Sequence, residues 1–286
     1  MNPAVFGLLT ALGWGGADFI ARFTGRAMGH HVALLGMLAV GSVVLPLIAW
    51  QAGVTLVWHS EGWWLLLATG VGIMVATLLL YWSLARGPVT IVAPIVGSYP
   101  ALNVAFEVAL GARPTSLQWL AMAAVMLGVF IVARAAGAFE DDGEYSRPAL
   151  RKTILIAAGA SVCFSFTIAA AQHAAPIYGE LQTVVIGRWI SLVSIALVLL
   201  WLRRPAVMPR RWWPWVLLQG LLDGGAYVAL LAAGSGADAA IAVVVASGFG
   251  AVTVLLARFI LKEAMTLFQW AGILLIMCSV AVLTAP

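Results

Sequence analysis

Ten stretches of this chain are apolar for about twenty residues each, the length a helix needs to cross a ~30 Å hydrocarbon core. They fall at 4–21, 31–50, 63–84, 89–110, 117–134, 153–171, 182–202, 213–233, 239–260 and 267–284, and mostly short connections separate them. Lipid offers no water to backbone amides and carbonyls, so each crossing segment must satisfy its own, which selects helix over open strand. Strand-like alternation is absent from the runs. Only 9% of the 286 residues are charged and 63% are hydrophobic, whereas a soluble domain carries about 25% charge. The surface must therefore face lipid. The expected fold is an all-α membrane protein of ten transmembrane helices.

The runs are not independent. Residues 88–132 lie over 239–283 without a gap at a constant offset of 151. Gly97 then meets Gly248, Leu110 meets Leu261 and Met126 meets Met277, while Thr115, Gln118 and Trp119 meet Thr266, Gln269 and Trp270. Apolar matches arise cheaply between two membrane segments; the polar and tryptophan matches do not. Internal repetition is read before local structure, and here each copy holds five runs. An odd number of crossings turns the second copy upside down, an arrangement found in many carriers. The expected organisation is two inverted five-helix repeats, residues 1–135 and 151–286. Between them, 136–150 (AGAFEDDGEYSRPAL) holds four of the eleven acidic residues and reads as a flexible, solvated linker.

The net charge of +4 does not indicate nucleic acid, because its distribution has a membrane explanation. Twelve Lys or Arg stand in the connections after runs 1, 3, 5, 7 and 9. The termini and the remaining connections hold one, Arg113. Cytoplasmic loops are the positive ones, so both termini are expected outside. The first run lacks a preceding basic segment and does not read as a cleaved signal peptide. Cys163 and Cys278 lie within runs, far from any paired spacing, and imply neither disulfide nor metal.

Ionisable residues within hydrocarbon cost ~2.5–3.5 kcal/mol on insertion scales, and they face a cavity or a partner. Five fall inside runs: Asp18, Glu107, Arg188, Asp223 and Arg258. Arg188 and Asp223 are placed within reach of each other. They read either as a structural ion pair or as function, with Arg188 holding a solute carboxylate or Asp223 carrying a coupling proton. Asp18 and Arg22, spaced i, i+4, are placed to pair locally or to serve a gate. Glu107 and Arg258 are equivalent under the offset, but inversion sets them near opposite faces, so they are not expected to pair. Trp14, Tyr81, Tyr99, Asn103 and Tyr227 complete a candidate pocket, apolar with a few polar handles; helix packing or an interfacial belt is the alternative for each aromatic. Trp58, Trp63, Trp64, Trp212, Trp213 and Trp215 sit at run ends and read as belt. Gly220 and Gly224 make a GxxxG packing face.

The four histidines fall near run ends, and no metal-ligand pair, serine elbow, P-loop or dinucleotide fingerprint is present. No cofactor is indicated. The remaining motif lies between the last two runs, where Glu263, Thr266, Gln269 and Gly272 follow one another at fixed spacing, and Trp14-Gly15 precedes Arg22 in the first. With the five-plus-five repeat, this resembles the EamA family of the drug/metabolite transporter superfamily over nearly the whole chain. The first repeat departs from the motif at Ala112 and Ala121, and Ser279 replaces a glycine in the second. The resemblance implies a secondary transporter, and favours an exporter, of small organic solutes such as amino acids or other metabolites. Its expected partners are the solute, the lipid bilayer and a coupling proton, and its expected place is the inner membrane of a bacterium. An intramembrane enzyme acting on a lipid-linked substrate, or a channel or scaffold, is the rival reading.

Overall fold

A computed structural model describes residues 2–109, 111, 113–134, 145–233, 237–263 and 265–284, and every regular element among them is helical. The first half contains α1 (Pro3–Met28), α2 (His30–Gln51), α3 (Trp63–Arg86), α4 (Val89–Gly97), α5 (Tyr99–Ala109) and α6 (Ser116–Arg134). The second contains α7 (Arg147–Tyr178), α8 (Glu180–Trp201), α9 (Trp213–Ala232), α10 (Ala237–Ala246), α11 (Phe249–Leu256) and α12 (Leu267–Thr284). Among the described residues nine helical segments are long and apolar enough to cross a membrane. Val89–Ala109 and Ile241–Leu261 each count as one of these. The tenth expected span, Leu267–Leu283, is a shorter apolar helix. Most of the expected linker lies outside the described residues. Its last part is already helical, because α7 begins at Arg147 with Pro148 in its first turn, where proline's missing N–H costs nothing.

Local hydrogen bonds repeat between the halves. Gly29 alone separates α1 from α2, at φ 84° and ψ 144°; Gly179 alone separates α7 from α8, at φ 82° and ψ 149°. Only glycine occupies that region readily. After α2, Gly53 N–H donates to Trp50 O and Val54 N–H to Ala49 O; after α8, Arg203 N–H donates to Leu200 O and Arg204 N–H to Leu199 O. At the start of α6, Thr115 N–H donates to Gln118 Oε1 (2.8 Å) and Gln118 N–H to Thr115 Oγ1 (3.3 Å). Thr266 and Gln269 do the same before α12, at 2.8 and 3.2 Å. This reciprocal cap satisfies two N–H groups that a helix start otherwise leaves open.

These matches correct the gapless register. The caps are 151 residues apart, but the glycine links are 150 apart, and so are the breaks inside the fourth and ninth runs. At those breaks Ser98 N–H donates to Ile95 O and Ala101 N–H to Ser98 O, while Gly248 N–H donates to Val245 O and Ala251 N–H to Gly248 O. The structural counterpart of Gly248 is thus Ser98, not Gly97. One residue must be absorbed between Phe249 and Thr266, and a π-helical turn occurs there at Ala257–Leu261. Such a turn is the usual form of a single insertion in a helix.

Packing also crosses between the halves. α1 lies against α9 and α3 against α7, while α9 also contacts α2 and α3 also contacts α8. Small residues allow the close approaches: a Cβ at Gly220 would stand 2.5 Å from Val40 Cβ, and one at Gly128 would stand 2.8 Å from Gly272 O. The GxxxG expectation for α9 is met at Gly220, while Gly224 is looser, 3.6 Å from Val44. Large apolar side chains such as Leu120, Leu155, Leu200, Phe259 and Phe268 are exposed. Trp63, Trp64, Trp213 and Trp215 at helix starts and Trp58 in the connection before α3 are exposed as well, the placement expected of an interfacial belt, whereas Trp212 is half-buried with its Nε1 enclosed.

Candidate functional site

A cavity of about 420 Å³ runs between the halves, and every helix except α6 contributes to its wall. It reaches the C-terminal ends of α7 and α9 and the N-terminal end of α8, at Ala175, Leu231 and Glu180. Ala175 and Glu180 lie together because Gly179 alone turns the chain from α7 into α8. Of the eight candidate residues, Trp14, Asp18, Tyr81, Tyr99, Arg188, Asp223 and Tyr227 stand on its wall. Asn103 does not. Its amide donates to Gln172 Oε1 at 3.4 Å, and Gln172 is the residue that faces the cavity.

The aromatic side chains hold one another in place. Trp14 on α1 meets Tyr227 on α9 edge to face at 5.2 Å and Phe249 on α11 at 6.1 Å. Tyr99 packs against Phe164 of α7 at 5.9 Å. Phe164 and Phe249 were missed by the sequence reading, since an isolated Phe in an apolar run carries no signal that separates cavity from lipid.

Arg188 and Asp223 meet, with Nη2 and Oδ2 2.8 Å apart. The guanidinium also lies over the Tyr227 ring at 5.1 Å and points Nη1 at Met37 Sδ, 3.5 Å away. Arg188 is 2% exposed, the Asp223 side chain 15%. Arg188 Nε is buried without a hydrogen-bond partner. Asp223 matches the charge of Arg188, and almost none of the arginine's surface is free.

The local Asp18–Arg22 pairing is corrected. Arg22 turns from Asp18 and donates Nη1 to Gly87 O at 2.6 Å, with Glu263 Oε1 at 3.1 Å. Glu263 in turn accepts from Val89 N–H (3.1 Å), Thr90 N–H (3.0 Å) and Thr90 Oγ1 (2.9 Å). The two N–H groups belong to the first turn of α4, where an acceptor carrying negative charge is favoured by the helix dipole. The Arg22 and Glu263 side chains are 5% and 7% exposed. Between this cluster and the cavity floor, Gln219 donates to Tyr81 OH at 2.6 Å and accepts from Thr24 Oγ1 at 3.0 Å. Asp18 is left on the wall with no ion pair or hydrogen bond among the described residues.

Glu107 and Arg258 do not pair. Arg258 Nη1 donates to the backbone oxygen of Glu263 at 3.2 Å, bracing the loop that carries that carboxylate. Glu107 Oε1 is buried without a hydrogen-bond partner. Among the described residues no three His, Cys, Asp or Glu side chains converge as a metal site.

The model of the EamA-like transporter family matches residues 1–134 and 151–285. No curated protein matches in sequence. A crystal structure with 19% identity to this chain superposes with a TM-score of 0.69, covering 98% of this chain and 95% of its own. That likeness is one of fold.

Proposed function

From its membership of the EamA-like transporter family, we propose that this integral membrane protein is a secondary carrier of small organic solutes. The observation that carries the reading is the cavity: about 420 Å³, walled by both halves of the chain, with aromatic faces and a few charged groups. Sites of this size and lining hold small molecules. On this reading the chain crosses the membrane ten times, as two inverted five-helix repeats of residues 1–135 and 151–286. Rocking of one repeat against the other would expose the same site to each side in turn. The breaks at Ser98 and at Ser247–Gly248 support it, since interrupted helices beside a cavity are a recurring feature of carriers. Family resemblance alone favours export.

Counterflow in sealed proteoliposomes tests the reading. Vesicles preloaded with unlabelled solute should transiently concentrate the same labelled solute above the external level, because a carrier exchanges solute without net flux. Labelled solute that only equilibrates, at a rate independent of preloading, would mean a channel. Chemical conversion of the solute would mean an enzyme.

A further inference from the structure

The charge around the cavity is lopsided. Its wall holds three carboxylates, on Asp18, Glu180 and Asp223, against one guanidinium, on Arg188. Asp223 takes that guanidinium at 2.8 Å. Glu180 begins α8 at the end of the cavity and is exposed. Asp18 stands deeper, four residues along α1 from Trp14, without a partner among the described residues. A carboxylate inside a membrane protein that faces a cavity without an ion pair is only partly compensated for its lost hydration, by whatever water the cavity admits. A cation brought in by the solute supplies that compensation; a solute anion makes it worse.

The surrounding surface suits the same class. Trp14, Tyr81, Tyr99, Tyr227, Phe164 and Phe249 all line the cavity. Aromatic faces attract cations through their quadrupole, and aromatic cages are the established way of holding organic ammonium groups. The Tyr227 ring already takes part in such a contact with Arg188, at 5.1 Å. Arg188, the one cationic side chain on the described wall, is 2% exposed and held by Asp223.

We propose that the cavity between the two halves binds organic cations, apolar amines with an aromatic or aliphatic body, and that Asp18 is the counter-charge for the ammonium group. The proposal deepens the carrier reading and rests on it for the transport step only; binding can be read by itself. Its selectivity is for net charge on the solute, positive over zwitterionic over negative.

Three probes share one indole ring and differ in charge: tryptamine, tryptophan and indole-3-propionate. Binding to the purified full chain is read by ligand-dependent thermal shift in detergent, and transport by counterflow of each labelled compound. Tryptamine should raise the melting temperature and exchange, with tryptophan at least tenfold weaker and indole-3-propionate inactive. Asp18→Asn should keep its own melting temperature, because no partner is orphaned, yet lose tenfold or more in tryptamine affinity. Asp18→Glu should recover part of that loss. Binding of indole-3-propionate in preference to tryptamine, no binding of tryptamine, or an Asp18→Asn variant with unchanged tryptamine affinity would overturn the proposal. The two readings fail separately. Asp18-dependent tryptamine binding without counterflow removes the carrier and keeps the cation site; counterflow of the anion alone removes the cation site and keeps the carrier.

Discussion

Among the described residues two buried arginine–carboxylate pairs occur, and they are satisfied to very different degrees. Glu263 accepts two backbone N–H groups and a hydroxyl in addition to Arg22, and Arg22 also reaches the Gly87 carbonyl. Asp223 and Arg188 approach as closely, yet Arg188 Nε is left without a hydrogen bond, and the pair faces a cavity. A buried ion pair offsets its desolvation only when further hydrogen bonds complete it. The first pair therefore behaves as part of the scaffold, tying the loop before α12 to the ends of α1, α3 and α4. The second is held by Tyr227 and Met37, and no backbone amide completes it among the described residues.

The largest effect should come from breaking the first pair. Glu263→Ala strands a buried guanidinium and uncaps α4, at an expected cost of about 3–5 kcal/mol, read as a fall in melting temperature of the detergent-solubilised protein. Glu263→Gln should lose less, since an amide oxygen still accepts from the α4 amides. Parental stability in the Ala variant would erase the distinction between the two pairs.

The second pair should show its loss in transport before stability. Arg188→Ala is expected to abolish solute exchange at normal expression, and Arg188→Lys to keep a little, because a point charge replaces the planar fork. Arg188→Gln and Asp223→Asn should each destabilise more than the double variant does, since each single change leaves an uncompensated charge. Additive losses would instead make the two residues independent.

The smallest effect sharpens the comparison between the halves. Thr266→Ala removes the cap of α12 in a partly buried setting and should cost about 1 kcal/mol. Thr115→Ala removes the same cap at an exposed site, and a loss about half as large is expected. Equal losses would mean that burial adds nothing to the cap.

How much of this could be seen in the sequence differs by the range of the interaction. The apolar runs were legible because a crossing helix needs a fixed length, and the two caps because Thr and Gln three residues apart act within one turn. Seven of the eight candidate residues stand on the cavity wall; for Asp18, Arg188 and Asp223 the cost of facing lipid accounts for it, while the aromatics carry no such constraint. Asn103 points at a wall residue instead. The breaks at Ser98 and Gly248 were hidden by apolar neighbours, although Ser98–Tyr99–Pro100 and Ser247–Gly248 are turn-forming residues within otherwise apolar runs. Glu263 was legible as a motif but not as a partner of Arg22, because no local spacing links residues so far apart. The one-residue change of register was invisible for a different reason: Gly97 and Gly248 match as letters, while the backbone matches Ser98 to Gly248.

The single glycines between α1 and α2 and between α7 and α8 restrict how those helices can travel. One residue spans about 3.8 Å between Cα atoms, so the joined ends have no slack with which to slip by even one helical turn, about 5.4 Å. Each pair can fan open or closed about its own pivot, but cannot piston. Any lengthwise sliding between helices must take place elsewhere along the chain, and a longer link at Gly29 or Gly179 would add a degree of freedom that the present molecule lacks.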